Sequence, residues 1–165
     1  MDLLATLLVA QGVVGGLDTL INHEAIARLP QRPEARREIG LHALREANYG
    51  AMFAIAAAFA IEGPAARVLV ALLAIEIAIT AADEWEENRI RVLPQNERLM
   101  HVALTLNLGA IAVLALPRAA GGGDWVGMPL AGLGLPLLAL AVAAFAWSVR
   151  DALAWRRLTS AASPR

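Results

Sequence analysis

Long apolar stretches separated by short polar turns run through the whole chain. Five of them can be drawn, at residues 3–22, 33–61, 65–88, 96–116 and 129–158. Each approaches the length of about 20 residues that a helix needs to cross a bilayer, provided that the polar ends of the second and third reach the interface. Pro33 and Pro64 suit helix starts, whereas Pro94 and Pro117 suit helix ends. The pattern therefore predicts five membrane-spanning helices in a single domain.

The composition agrees with a membrane protein. Of the 165 residues, 58% are hydrophobic, whereas a soluble domain is usually about half apolar. We therefore expect an all-α, polytopic membrane protein. The chain has no Cys, which excludes disulfides, thiolate ligands and Cys nucleophiles. Its net charge is −1 and no basic stripe is interleaved with aromatic residues, so nothing in it predicts a nucleic-acid partner.

The arginines predict how the helices are oriented. All 14 basic residues are Arg. Five spans with the N-terminus outside put every Arg except Arg67 and Arg118 at one side of the membrane. In membrane proteins the Arg-rich loops face the cytoplasm. The sequence thus predicts a multi-pass protein of the inner (plasma) membrane, with its N-terminus outside and its C-terminus cytoplasmic.

One sequence pattern, E-x3-H-x5-N-x-G-A, occurs twice. The first copy contains Glu38, His42, Asn48 and Gly50, and the second contains Glu97, His101, Asn107 and Gly109. The helices before the two copies also match, since Gln11 and Asp18 have the same spacing as Glu76 and Asp83, and Asn22 stands where Glu87 stands. We interpret residues 1–62 and 63–117 as two repeated helical hairpins. Together they form a four-helix transmembrane bundle, followed by a fifth transmembrane helix at 128–158.

Acidic and His residues gather at one end of this predicted bundle. They lie at the Arg-rich ends of four helices, and all three His of the chain belong to the set. Residues four apart share a helix face, so Glu38 and His42 point the same way, as do Glu97 and His101. Ionisable groups within a membrane are costly and mark functional sites.

A metal site accounts for this set. Soluble di-iron bundles take one Glu from each of two helices and a Glu-x-x-His pair from each of the other two. The spacing here is Glu-x3-His, so the likeness is one of architecture only. Oxygen-rich sites with some imidazole suit iron or manganese, and zinc is a further alternative. The candidate ligands are Asp18, Glu38, His42, Glu46, Asp83, Glu87, Glu97 and His101, with Glu24 and His23 as substitutes.

The roles of three further residues stay open. In a continuous α-helix, His23 lies about 140° around the axis from Asp18, and Glu24 about 120° away in the other direction. Each is therefore either a ligand or a turn residue. Glu76 lies about 10 Å deeper in the membrane than Asp83. It is a ligand, a proton relay or a carboxyl group that stays neutral.

The principal hypothesis is a di-iron oxidoreductase that uses O2 to oxidise a lipid-like or quinone-like substrate at the cytoplasmic side. A b-type haem protein is an alternative, with His42 and His101 as axial ligands and with Gly50 and Gly109 making room for the porphyrin. A zinc-dependent lipid hydrolase is another, although the H-E-x-x-H motif is missing. An ion transporter is the fourth. In the last alternative the protein is not an enzyme, and its acids simply pair with arginines at the interface.

The fifth segment contains no acid before Asp151. Its Gly132 and Gly134 favour close helix packing, so we expect it to act as a scaffold or as the contact in a homo-oligomer. Tryptophans are predicted to anchor the helices at the membrane surfaces. They are Trp85, Trp125, Trp147 and Trp155.

Overall fold

The computed structural model describes residues 2–128 and 130–162. This part of the chain is all-helical and contains no β-strand, as the sequence predicts. Five α-helices make up most of it: α1 Leu3–Asp18, α2 Arg36–Ala58, α3 Gly63–Ile90, α4 Gln95–Ala119 and α5 Gly134–Ala162. Asp2 caps α1 by accepting a hydrogen bond from the backbone N–H of Leu4, and Pro64 lies in the first turn of α3, where its missing N–H costs nothing.

The first helix does not stop at residue 22 as predicted. After α1 the chain continues as a π-helix, Thr19–Ile26, and the backbone N–H of Ala27 still bonds to the carbonyl of Asn22, five residues back. Two short 3₁₀ turns, Leu29–Gln31 and Pro33–Ala35, then lead into α2. π-Helical turns are rare and occur mostly at functional sites, so this segment draws attention to the residues it carries.

Two other helix ends differ from the sequence prediction. Pro117 lies inside α4, close to its C-terminus, rather than ending it. The fifth helix begins at Gly134, whereas its predicted start, Pro129, lies outside the described residues. Pro94 precedes α4 as expected and acts as its N-cap residue.

Four helical stretches are long and apolar enough to cross a membrane, so the chain has the character of a membrane-spanning protein. They are Leu3–Ile26, Gly63–Ile90, Gln95–Ala119 and Gly134–Ser160. Five were predicted. Helix α2 does not qualify, because its N-terminal half carries the charged residues that the other helices enclose.

The helices form a ring in the order α1, α4, α3, α2, α5, and α5 closes the ring by contacting α1. The two helices of the second hairpin, α3 and α4, pack directly together, whereas α1 and α2 hardly touch. At one end of the ring an apolar core is built around Leu8, Met52, Leu69 and Ile111. The other end is polar, and the candidate ligands lie there.

Helix α5 packs most extensively against α2, and glycines make the close approach possible. A Cβ atom at Gly50 would lie 2.9 Å from the ring of Phe145, and one at Gly40 would lie 3.1 Å from the ring of Trp155. These glycines belong to α2. Of the two predicted glycines, Gly132 is wrong as a packing residue, since it lies before α5 with open space around it, whereas the role of Gly134 stays a prediction. The scaffold role predicted for the fifth helix therefore depends on small residues in its neighbour.

Candidate metal centre

The polar ends of α1, α2, α3 and α4 meet at one end of the ring and enclose a cluster of carboxylates and imidazoles. Seven buried or nearly buried side chains form its centre: His23, Glu38, His42, Asp83, Glu87, Glu97 and His101. Glu38, Glu87 and Glu97 have no exposed surface at all. A buried carboxylate is costly unless something compensates its charge, so the cluster requires cations or protons.

The first potential metal-binding group combines His23, Glu87, Glu97 and His101. One ligand atom from each of these side chains lies within 4.8 Å of all the others. Metal–ligand bonds to nitrogen and oxygen measure about 2.0–2.2 Å, so ligands on opposite sides of an ion are about 4 Å apart. Small rotations of the side chains would therefore close this group around one ion.

The second potential group consists of Glu38, His42 and Glu87, with the same spacing of at most 4.8 Å between ligand atoms. Glu87 belongs to both groups. Since a carboxylate has two oxygens, it can contact one ion with each of them. Thus the two groups are joined by a shared carboxylate, the arrangement that a di-metal centre needs.

Two aspartates contact the histidines of this cluster. Asp18 Oδ2 lies 3.3 Å from Nε2 of His101, and Asp83 Oδ2 lies 3.4 Å from Nε2 of His42. Neither aspartate belongs to either potential metal group. Carboxylates that orient a histidine ligand are usual in metal sites and support its binding. Asp18 and Asp83, predicted as ligands, therefore occupy supporting positions in this structure.

Several polar atoms of the cluster have no hydrogen-bond partner among the described residues. They include Nδ1 and Nε2 of His23, Nε2 of His42, Oε2 of Glu38 and Oε2 of Glu87. Buried polar atoms nearly always have a partner, so each exception needs an explanation. These unpaired atoms belong to members of the two potential metal groups. A metal ion in each group would engage one nitrogen of His23 and the oxygens of Glu38 and Glu87, whereas Nε2 of His42 faces Asp83.

Two arginines already neutralise part of the cluster. Arg91 donates hydrogen bonds to Glu38 at 2.8 Å, to Glu87 at 3.3 Å and to Glu97 at 2.6 Å. Burial lowers the pKa of Arg91, but the bonds from Glu97 and Glu38 outweigh burial and hold the pKa above its ordinary value. The guanidinium therefore stays positive. Sequence reasoning missed Arg91, although its position four residues after Glu87 was a signal for it.

Arg45 neutralises the deeper carboxylates. It donates to Asp83 at 2.7 Å and to Glu76 at 3.2 Å. Glu76 also accepts a hydrogen bond from Asn48 at 2.9 Å, so both of its oxygens have partners. Glu76 is outside both potential metal groups. Its contacts make it part of the support of the cluster, on the side of Asp83.

The charge balance of the cluster leaves an excess of negative charge. Six carboxylates contribute, from Asp18, Glu38, Glu76, Asp83, Glu87 and Glu97, against two guanidiniums. If all six are ionised and the histidines are neutral, the excess is four negative charges, which two divalent cations would cancel. Protons on buried carboxyl groups or on histidines are the other compensation, but the rings of His23 and His42 are stacked with centroids 4.4 Å apart. Two positive rings at that distance repel each other.

Two of the predicted ligands do not join the cluster centre. Glu24 forms an ion pair with Arg150 of α5. Glu46 is outside both potential metal groups, and its Oε2 has no hydrogen-bond partner among the described residues. These two residues lie on the side of α5 rather than among the four helix ends.

The π-helix explains the position of His23. In a continuous α-helix this residue would point away from Asp18, but a π-turn bonds residues five apart and so brings them onto one face. His23 Nε2 consequently lies 3.6 Å from Asp18 Oδ2 and 3.2 Å from Glu97 Oε1. Sequence periodicity alone assumes α-helical turns and therefore left its role open.

Room for a haem is not evident beside the predicted glycines. The ring of Phe145 occupies the space next to Gly50. Gly109 lies on the exposed side of α4, away from the cluster. The haem alternative therefore gains no support from these two glycines.

Two asparagines at matching positions make matching contacts. Asn48 donates to the carbonyl of Leu72 at 3.1 Å and to Glu76. Asn107 donates to the carbonyl of Leu7 at 2.9 Å and to Gln11 at 2.7 Å. In each case the two acceptors are four residues apart on one helix, α3 for Asn48 and α1 for Asn107.

Comparison with known proteins identifies no relative, since no protein-family model, curated protein or solved structure matches this chain. Inference about its function therefore depends on the chemistry and geometry of the cluster.

Proposed function

We propose that this protein is a membrane-embedded di-metal oxidoreductase whose two ions, iron by ligand type, are held by carboxylates and histidines from four helices. The observation that carries the proposal is Glu87, which belongs to both potential metal groups. One group adds His23, Glu97 and His101, and the other adds Glu38 and His42. Carboxylates with a few imidazoles are the ligands that iron and manganese prefer.

We further propose that the ligands come from two repeated hairpins. The Asp18–His101 and Asp83–His42 contacts, at 3.3 and 3.4 Å, are related by the sequence repeat. The contacts of Asn48 and Asn107 are related in the same way. These four contacts support a common ancestry of residues 1–62 and 63–117, in which each hairpin supplies a Glu-x3-His pair.

The residues around the cluster would each have a defined task. Bound iron would supply the redox chemistry with O2 as the oxidant, while a hydrophobic substrate occupies the apolar space beside the cluster. Asp18 and Asp83 would orient the histidines, and Arg45 and Arg91 would retain the carboxylates in place. Because the cluster lies at the Arg-rich helix ends, we place it on the cytoplasmic side of the membrane.

Metal analysis with an absorption spectrum tests the proposal. Full-length protein, purified in detergent and reconstituted with iron, should bind about two irons per chain, as in di-iron bundles, and show no haem Soret band. Zinc in place of iron would overturn the oxidoreductase in favour of a hydrolase, and a Soret band would overturn it in favour of a haem protein. Folded protein that holds no metal after reconstitution would refute the metal centre altogether.

A pair of neighbouring glutamates provides the matched variants. Glu87→Gln should remove both ions, because both groups lose a ligand. Glu86→Gln is the control: Glu86 is equally part of α3 and buried, but it pairs with Arg89 at 2.5 Å and belongs to neither group. Equal metal content in the two variants would contradict the assignment of Glu87 as the shared ligand.

The non-enzymatic alternative is favoured by one observation, the threefold contact of Arg91 with Glu38, Glu87 and Glu97. In that case the cluster is a network of ion pairs that joins α2, α3 and α4. The charge balance separates the two functions. A pure salt-bridge network must compensate the remaining carboxylates with protons on its carboxyl groups or histidines, and its folded form would then take up no metal even with a large excess of iron.

A further inference from the structure

A cavity of about 280 Å³ lies directly beside the metal cluster. At one end it is lined by cluster residues, including His23, His42 and His101. At the other end its wall is apolar and is formed by residues of α2, α4 and α5, namely Phe53, Leu104, Leu108, Leu140 and Ala144. A hydrophobic molecule in this cavity would have one end close to the histidines.

Glycines of α1 create part of this space. A Cβ atom at Gly15 would have Leu104 Cδ2 as its nearest neighbour, at 3.9 Å, and one at Gly16 would meet nothing within 4 Å. Both residues line the cavity. Larger side chains on this face of α1 would project into the empty volume, so the cavity depends on residues that carry no side chain.

Apart from the residues at the centre of the cluster, two residues that line the cavity carry a polar atom with no hydrogen-bond partner in the described parts of the chain. These atoms are Nε1 of Trp147 and Oε2 of Glu46. The indole nitrogen can only donate a hydrogen bond, and the carboxyl oxygen accepts one when ionised. Buried atoms of this kind usually have partners. A ligand hydroxyl would serve both, because it accepts and donates.

The charge around the cavity restricts the ligand further. Asp18, Glu46, Asp83 and Glu87 all contribute to its lining. The cations nearby are already bound to carboxylates, as in the pair of Arg45 and Asp83. A fatty acid or a phospholipid headgroup would bring additional negative charge close to these carboxylates, which would repel it. The ligand that fits is therefore uncharged at the end that enters the cavity.

We infer that this cavity binds an uncharged hydrophobic molecule with a hydroxyl end, of the class of alkylated hydroquinones or long-chain alcohols, with the hydroxyl facing Trp147 and Glu46. Its role as the substrate to be oxidised rests on the proposed function above. The binding itself does not require metal. Failure of ligand binding and failure of metal binding can therefore be observed separately.

Binding is measured by equilibrium dialysis of the full-length protein in detergent, without oxygen and with a chelator present. The probes are decylhydroquinone, 1-dodecanol, dodecanoic acid and the dimethyl ether of decylhydroquinone. Either hydroxyl compound should bind more than about tenfold more tightly than the acid or the ether, given roughly 1–3 kcal/mol for an unpaired polar atom. Tighter binding of the quinol or of the alcohol identifies the natural class. Binding of neither, or equal binding of the acid, would refute the inference.

Matched glycine variants locate the site. Gly15→Leu should fill the cavity and weaken binding at least about tenfold, whereas Gly109→Leu, on the exposed side of α4 with nothing within 4 Å, should leave it unchanged. Both replace a helical glycine with a better helix former, so both variants should fold. Equal affinities in these two variants would show that the ligand binds elsewhere.

Trp147→Phe tests the polar end of the cavity. Because Nε1 of Trp147 has no partner in the described structure, its removal should weaken binding of the hydroxyl compound by about fivefold, the worth of one hydrogen bond. Binding of the ether should change less, because its oxygens accept a hydrogen bond from the indole N–H of Trp147 less well than a hydroxyl does. An unchanged preference for the hydroxyl compound over the ether in this variant would remove Trp147 from the site.

Discussion

The two hairpins of the proposed repeat, residues 1–62 and 63–117, differ in how their helices meet, although their sequences share one pattern. In the second, α3 and α4 pack directly against each other. In the first, α5 enters between α1 and α2, and glycines such as Gly40 and Gly50 of α2 receive its aromatic rings. The contacts between the hairpins nevertheless match, α1 with α4 and α3 with α2. The candidate ligands thus depend on contacts that the two halves share, while the insertion of α5 is where they differ.

The two hairpins also differ in their polar side chains, because the second carries carboxylates at two positions where the first carries amides. The second hairpin carries Glu76 and Glu87 where the first has Gln11 and Asn22. Asn22 donates to Asp18 at 2.7 Å and so completes the support of one aspartate, whereas Glu87 is the shared ligand. The first hairpin compensates with His23, which the π-helix brings into the cluster. Substitutions at matching positions of the two hairpins can therefore show which residues have the same role in both and which have a role in only one.

The largest effect is expected from His42→Ala and His101→Ala. These residues hold equivalent positions, and each is a member of one potential metal group. Loss of a mere supporting residue costs roughly 10–100-fold in metal affinity, so each alanine variant should lose more than about 100-fold. Iron titration of the two variants measures this. A silent change in one variant and a complete loss in the other would show that the symmetric assignment is wrong.

Asp18→Asn and Asp83→Asn should weaken metal binding less, by about 10–100-fold each, because each orients a histidine rather than binding the ion. The two variants should differ in stability. Asp83 is also the partner of Arg45 at 2.7 Å, and removal of one member of a buried ion pair costs about 3–5 kcal/mol. Thermal unfolding of the metal-free variants measures the difference, and equal losses would contradict the structural role of the Arg45–Asp83 pair.

Gly50→Ala and Gly109→Ala test the insertion of α5. The added Cβ at residue 50 would lie 2.9 Å from the Phe145 ring, which cannot yield easily. Overpacking of this kind costs about 1–3 kcal/mol. At Gly109 the space is open, so the alanine should stabilise α4 by up to about 1 kcal/mol. Chemical unfolding of the two variants in detergent compares them, and a loss of stability at both positions would argue against the difference between the hairpins.

The smallest effects are expected from Asn48→Ala and Asn107→Ala. Each variant loses one hydrogen bond to a backbone carbonyl and one to a side chain of the other hairpin. Asn107→Ala should cost about 1 kcal/mol, and Asn48→Ala somewhat more, because its partner Glu76 is a carboxylate. Unfolding measurements under the same conditions provide the test. If only one variant were destabilised, the two asparagines would not be equivalent.

Local sequence patterns predicted the helices well and the assembly less well. The all-helical fold is confirmed, as is the presence of helices apolar enough to span a membrane. Helix α2 was predicted to be a fifth such helix but does not qualify. Glu38 and His42 in its charged half are buried between neighbours, and a hydropathy pattern cannot tell a helix sheltered by protein from one in contact with lipid.

The candidate site was partly predictable for the same reason. A spacing of four places Glu38 with His42, and Glu97 with His101, on one face of a helix, and this follows from α-helical geometry alone. The shared position of Glu87, the contacts of Arg91 and the exclusion of Glu24 and Glu46 do not follow from it. They depend on which helices are neighbours and on how far each side chain extends toward the neighbouring helix.

By itself, the sequence determined where the helices lie, which ends are polar and which residues share a helix face, because these properties depend on neighbours along the chain. The tertiary structure decided that α5 separates α1 from α2, that a π-turn carries His23 to Glu97, and that Glu87 joins the two potential metal groups. These features arise from packing between distant segments, where an aromatic ring against a glycine or a guanidinium among three carboxylates selects one arrangement of the helices.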